Sequence, residues 1–71
     1  MEQIIKYQGN SYILVEDKDE NGNVTGTLTY GKNTLPYEVT AEAIAMGNEE
    51  GINQLAEVKK ALLVELSNMP D

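Results

Sequence analysis

The chain has 71 residues, 12 acidic and 5 basic side chains, and a formal net charge of −7. At this length there is room for one domain with a small core, in which folding removes only about 60% of the unfolded surface from water. With no cysteine, histidine or arginine, disulfides, thiolate chemistry and imidazole bases or ligands are excluded, and the negative charge opposes nucleic acid and anionic membranes.

The first 39 residues are rich in Tyr, Ile, Val, Thr, Gly and Asn, with apolar and polar residues alternating. Residues 40–69 are rich in Ala, Leu, Glu and Lys at helical spacing. Strands followed by helix predict an α+β fold: a four-stranded antiparallel β-meander (1–39), then a short helix and a longer C-terminal helix (40–69) packed on one sheet face, as a single small domain.

Three turns divide the predicted meander. Gly9-Asn10 and Asn21-Gly22 accept the positive φ that two-residue hairpins need, and Lys32-Asn33 is a weaker third. With these as hairpin centres, Ile4 falls opposite Val15, Tyr7 opposite Tyr12, Val15 opposite Leu28 and Leu28 opposite Tyr37. One face then carries Ile4, Ile13, Val15, Leu28, Tyr30, Leu35, Tyr37 and Val39, the expected core face. Lys6 interrupts it on one edge strand, and Pro36 falls on the other, where a missing donor is tolerated.

The second face reads Thr27, Thr29, Pro36 and Glu38 over strands three and four, but Ile5, Tyr7, Tyr12 and Leu14 over strands one and two. An exposed apolar and aromatic strip marks a contact site, so these four residues are the candidate partner-binding set. The competing expectation is that a helix or the N-terminus covers them.

Thr40 is placed to cap a first helix over "AEAIAMG", with Gly47-Asn48 as a stop and Asn48 as cap of a second helix; one unbroken helix over 41–68 is the alternative. The apolar positions Ile52, Leu55, Val58, Leu62, Leu63, Leu66 and Met69 share an arc, and Pro70 ends the run. Lys59 falls inside this arc. Its stem is expected to lie along the core with the ammonium in water; a functional buried lysine would need a carboxylate neighbour.

"DKDENGNV" (17–24) matches the first eight positions of a calcium loop of the EF-hand type, with Asp17, Asp19 and Asn21 as the oxygen-bearing positions. The twelfth position, which needs a bidentate glutamate, is Leu28. The flanks "SYILVE" and "TGTLTY" are strands rather than helices. The stretch is therefore expected to be a hairpin tip without a metal, those three residues being weak cation candidates only. No phosphate loop and no nucleophile–base pair is present, so neither cofactor nor enzymatic activity is expected.

These features predict a non-catalytic, acidic, protein-binding module. It would be an accessory or inhibitory protein of phage or mobile-element type, cytoplasmic, contacting another protein with a basic surface. One alternative is a homo-oligomeric structural protein, such as a homodimer, using the same face. Another is an acidic nucleic-acid mimic. Neither nucleic acid nor membrane is an expected partner. No apolar run approaches the roughly 20 residues of a membrane span.

Overall fold

Glycine and one glutamine bend the chain into a meander. In the computed structural model, which describes residues 1–70, the elements are β1 (Glu2–Tyr7), β2 (Asn10–Lys18), β3 (Val24–Tyr30), β4 (Asn33–Val39), α1 (Ala41–Glu49) and α2 (Gln54–Ser67). The strands form one antiparallel sheet in the order β1-β2-β3-β4, and both helices pack on the same side of it. The fold is the expected α+β meander with two helices. Among the described residues no helix is long and apolar enough to cross a membrane.

The turns differ from expectation, and one difference decides the faces. The first turn is Gln8-Gly9, both at positive φ (49° and 82°). Ile4 accordingly pairs with Ile13 rather than Val15, and Tyr7 with Asn10 rather than Tyr12. The third is Gly31-Lys32, so that Leu28 pairs with Leu35 rather than Tyr37. Each of these is a shift of two, which preserves the faces. The second turn is not a two-residue turn at Asn21-Gly22. Lys18 pairs with Val24 across a five-residue connection, and Leu28 meets Leu14 instead of Val15. An odd connection in place of an even one slips the register by one residue and exchanges the faces of β1 and β2 relative to β3 and β4.

Consequently Tyr12 and Leu14 are buried, at 0% and 1% exposure, with Leu28, Val24, Tyr37 and Val39 from the other strands and Leu63 and Leu66 from α2. Ile5, Tyr7, Tyr30, Leu35, Ala43, Ile44, Leu55, Val58 and Leu62 pack around this cluster. Ile4, Ile13 and Val15, expected inside, are outside. Tyr30, Leu35, Tyr37 and Val39 lie inward as expected. The inner face holds a row of rings: Tyr12 meets Tyr7 edge-on with centroids 6.1 Å apart, and Tyr30 at 4.7 Å with a 31° tilt. Such ring pairs add to the gain from apolar burial.

The helical half is two helices. Thr40 caps α1 as expected, its Oγ1 accepting the Ala43 N–H at 3.1 Å. Gly47 lies within α1 rather than ending it, because the chain doubles back over it: the Ile52 N–H bonds the Gly47 carbonyl at 2.7 Å, and a Cβ there would sit 2.6 Å from Gln54 Cγ. The reversal is completed by Gly51 at φ +75°. The cap of α2 is therefore Asn53, not Asn48, with Oδ1 accepting the Ala56 N–H at 3.1 Å. Ile52 is left outside α2, in the connection and partly exposed.

The Tyr12 hydroxyl is buried with no hydrogen-bond partner among the described residues. A buried unsatisfied hydroxyl costs about 1–3 kcal/mol. Tyr12→Phe is therefore expected to match or exceed the parent in stability, whereas Tyr12→Ala is expected to lose about 3–5 kcal/mol by truncating a core ring. The outward Ile4→Thr should stay within about 0.5 kcal/mol of the parent. Urea unfolding followed by circular dichroism checks all three.

Candidate functional site

The strip proposed from the sequence is not a surface. Tyr12 and Leu14 are core residues with no surface to offer, and Ile5 and Tyr7 are half-buried against them, so the four do not form an exposed strip. Its place is taken by the opposite face, which no helix covers. Across that face the register sets Ile4, Ile13, Thr29 and Thr34 in one row, and Glu2, Val15, Thr27 and Pro36 in the next. Asp17, Thr25 and Glu38 follow at one end, and Lys6 and Ser11 lie at the other. Ile4 is 68% exposed, Ile13 42% and Val15 37%. The three are neighbours on β1 and β2 and make one aliphatic strip beside a threonine-rich half, where the Thr29 and Thr34 hydroxyls bond each other at 2.9 Å. A shallow depression of about 510 Å³ lined by Thr25, Gly26, Pro36, Tyr37 and Glu38 lies toward β3 and β4.

The sequence carried only a faint signal for this face, three charged residues against two. Glu2, Lys6, Ser11 and Asp17 share it with the three aliphatic residues; the other face of β1 and β2 carries Gln3, Asn10, Glu16 and Lys18 beside Ile5, Tyr7, Tyr12 and Leu14, and of these four polar residues only Glu16 is drawn in from solvent. Glu16 is the inward exception, and the structure supplies its reason. Tyr37 donates its phenol to Glu16 Oε1, and Lys59 Nζ on α2 lies 3.0 Å from the same oxygen, both side chains being 24% exposed. Lys59 thus has a carboxylate neighbour in Glu16. The cluster ties β2, β4 and α2 together at the margin of the core. Burial alone would push the Glu16 carboxyl up, but the hydrogen bonds from Tyr37 and Lys59 and the Lys59 charge outweigh it and hold the group below its ordinary value. Burial, and then the adjoining carboxylate, push the Tyr37 phenol far above its usual range.

Gly26 lets this happen. It stands between Glu16 and Tyr37 in the ladders, and the Tyr37 ring lies across its bare Cα to reach from β4 to β2. A Cβ at Gly26 would sit 2.6 Å from Tyr37 Cζ and from its hydroxyl, and 2.6 Å from the Val15 carbonyl oxygen.

The weak cation candidates are arranged as a turn. Asp19 Oδ1 accepts the N–H groups of Asn21 and Asn23, each at 2.9 Å, and Oδ2 accepts Asn23 Nδ2 at 3.2 Å. The Gly22 N–H closes on the Asp19 carbonyl at 3.1 Å, with Gly22 left-handed at φ +87°. These donors, the Asn23 N–H foremost, hold the Asp19 carboxyl below its ordinary value. Asp17 lies on β2, on the outer face, and Asn21 at the exposed tip. Asn23 Oδ1 meanwhile accepts the Ala41 N–H at 2.8 Å, joining the loop to the start of α1. The stretch works as a brace: Asp19 shapes the loop and Asn23 docks it on the helix. Among the described residues, no group of three or more acidic side chains is placed to hold a metal ion.

No protein-family model matches this chain, and no curated protein or solved structure matches it either.

Two outcomes follow for the Glu16 cluster. Because the folded Glu16 value is lowered, the unfolded chain binds more protons as pH falls below the ordinary value of 4.5; the cluster's contribution is present above that value and lost through the lowered folded one. Glu16→Gln should flatten part of the acid limb, Asp19 supplying another part. Because the Tyr37 value is raised, stability should decline as pH rises past its ordinary 10.0, and Tyr37→Phe should lessen that decline. Urea titrations at stepped pH measure both. Separately, Gly26→Ala is expected to cost about 1–3 kcal/mol by overpacking, and to lessen the acid-limb difference between the Glu16 parent and Glu16→Gln by displacing the phenol while Lys59 stays in place.

Proposed function

We propose that the chain is a non-catalytic protein-binding module, an accessory or inhibitory protein acting in the cytoplasm, and that it binds through the uncovered outer face of its sheet. The observation that carries this reading is the contiguous exposure of Ile4, Ile13 and Val15 on a face that neither helix covers. Interfaces place apolar groups at their centre and polar groups around the rim, and this face has that layout. Threonine hydroxyls flank the strip on one side, and Glu2, Asp17 and Glu38 gather at one end.

The partner that fits is a protein surface with an apolar centre and basic side chains at one margin. The three carboxylates and the net charge of −7 favour its approach and set its orientation. The strip is small, so affinity would rest on Ile13 and Val15 near its centre, with the acidic rim acting on the association rate.

The test is capture of partners from the native host with the parent chain, with Ile13→Ser/Val15→Ser, and with Met46→Ser as a surface control on α1. The paired substitution is expected to keep the circular dichroism spectrum and to weaken retention of a specific partner at least tenfold, while the Met46 variant retains it. Equal retention by the parent and by Ile13→Ser/Val15→Ser would overturn the assignment of this face.

A further inference from the structure

The sheet has two edges, and they are built differently. In an antiparallel pair, opposed residues alternate between exchanging backbone hydrogen bonds and not doing so. On β4, the Gly31-Lys32 turn makes Tyr30 and Asn33 a bonded pair. Alternation then turns the backbone groups of Thr34, Pro36 and Glu38 away from β3. Pro36 has no N–H to offer, so this edge is interrupted at its middle. On β1, the Met1 carbonyl accepts the Glu16 N–H at 3.1 Å, and the Gln8-Gly9 turn makes Tyr7 and Asn10 a bonded pair. The two ends agree: Gln3, Ile5 and Tyr7 bond to β2, and the N–H and C=O of Glu2, Ile4 and Lys6 point outward. Nothing interrupts this edge.

The side chains at those three outward positions read Glu, Ile, Lys. Read antiparallel about Ile4, that pattern is its own complement, with Glu2 opposite Lys6, Ile4 opposite Ile4, and Lys6 opposite Glu2. Among the described residues Glu2 makes no ion pair, and Lys6 donates only to the neutral Ser11 hydroxyl, at 2.6 Å. Both charges are available to meet their opposites at the edge.

We propose that β1 is a joint for a second copy of this chain. Two β1 strands pair antiparallel about a two-fold axis at Ile4, and the two meanders become one continuous sheet. Each of the three outward pairs exchanges both of its backbone hydrogen bonds. Two Glu2–Lys6 cross-strand pairs, of a kind that favours pairing, offset locally the repulsion between two acidic chains. The two-fold also sets the aliphatic strips of both copies side by side across the joint, on the same outer face. Because edge pairing leaves that face open, the joint stands whether or not the face binds a partner. A joint of one short strand falls below the 1,200–2,000 Å² or so of a standard stable interface, so the association is a concentration-dependent equilibrium rather than a permanent dimer.

Charge reversal tests it, read by sedimentation velocity from micromolar to millimolar protein. The parent is expected to move from monomer toward dimer with rising concentration. K6E alone and E2K alone should remain monomeric, since each sets like charges against each other on both sides of the axis. An equimolar mixture of K6E and E2K should associate as the parent does, and so should the double variant E2K/K6E. K32E, which makes the same charge change as K6E at the far turn, should leave association intact. Circular dichroism verifies that each variant is folded. A parent chain that stays monomeric throughout overturns the proposal. So does association of K6E or E2K equal to that of the parent, which would place self-association elsewhere.

Discussion

The register of β2 against β3 determines which side of this protein is its inside. β1 follows β2, and β4 follows β3, each through a tight two-residue turn that holds its neighbour's facing. Only the connection between the two hairpins has freedom, and its length is odd. Lys18 therefore meets Val24, and Leu14 rather than Val15 meets Leu28. Shifted by one residue, Ile4, Ile13 and Val15 would lie on the helix side of the sheet, and Tyr7 and Tyr12 would stand in water. The core, the open face and the charge layout at both ends of that face all descend from five residues, Asp19–Asn23. Their shape is held by one carboxylate that accepts two backbone N–H groups and a side-chain amide.

That dependence explains what was legible in the sequence and what was not. Strand and helix types, their order, the edge position of Pro36 and the cap at Thr40 follow from local chemistry, and each is where local chemistry puts it. Within each hairpin the division of residues between two faces also emerges correctly, because a shift of two leaves it unchanged, but which face of β1 and β2 is the inner one does not. The step between hairpins is not local. Asn21-Gly22 is a strong two-residue turn signal, but Asp19 captures the Asn21 and Asn23 N–H groups, and Gly22 serves as the left-handed close of a longer loop. The candidate surface moved with that step, from Tyr12 and Leu14 to Ile13 and Val15. The charged company of Ile4 and Val15 (Glu2, Lys6 and Asp17) was the available counter-signal. It was weakened by Lys18 and Glu16 on the opposite face, and the partners of Glu16, Tyr37 and Lys59, come from β4 and α2 and cannot be read from spacing.

The Glu16 cluster shows how a small core uses polar residues at its margin. Buried ion pairs gain little over apolar packing and are costly when broken, so their value lies in specifying an arrangement. Here one oxygen receives a phenol from β4 and an ammonium from α2. The arrangement requires α2 to sit at one height along the sheet, and it requires β3 to be bare at Gly26. Aliphatic contacts between Leu63, Leu66 and the strands would tolerate some sliding of the helix, whereas this three-way contact does not. Gly26 costs β3 some intrinsic strand preference, and what it allows is a side chain that spans two strand spacings.

The bond from the Asn23 side chain to the Ala41 N–H has a consequence for the order in which the molecule assembles. The first N–H groups of a helix have no partners within it, and for α1 one of them is met by a residue 18 positions earlier in the chain. Thr40 can start the helix alone, but its opening turn is complete only once the β2–β3 hairpin has closed and brought its tip alongside. The hairpin is local and quick to form by comparison with contacts distant in sequence. The same five residues that set the register therefore also complete the opening turn of α1, so that a change in the loop is felt at the start of the helix.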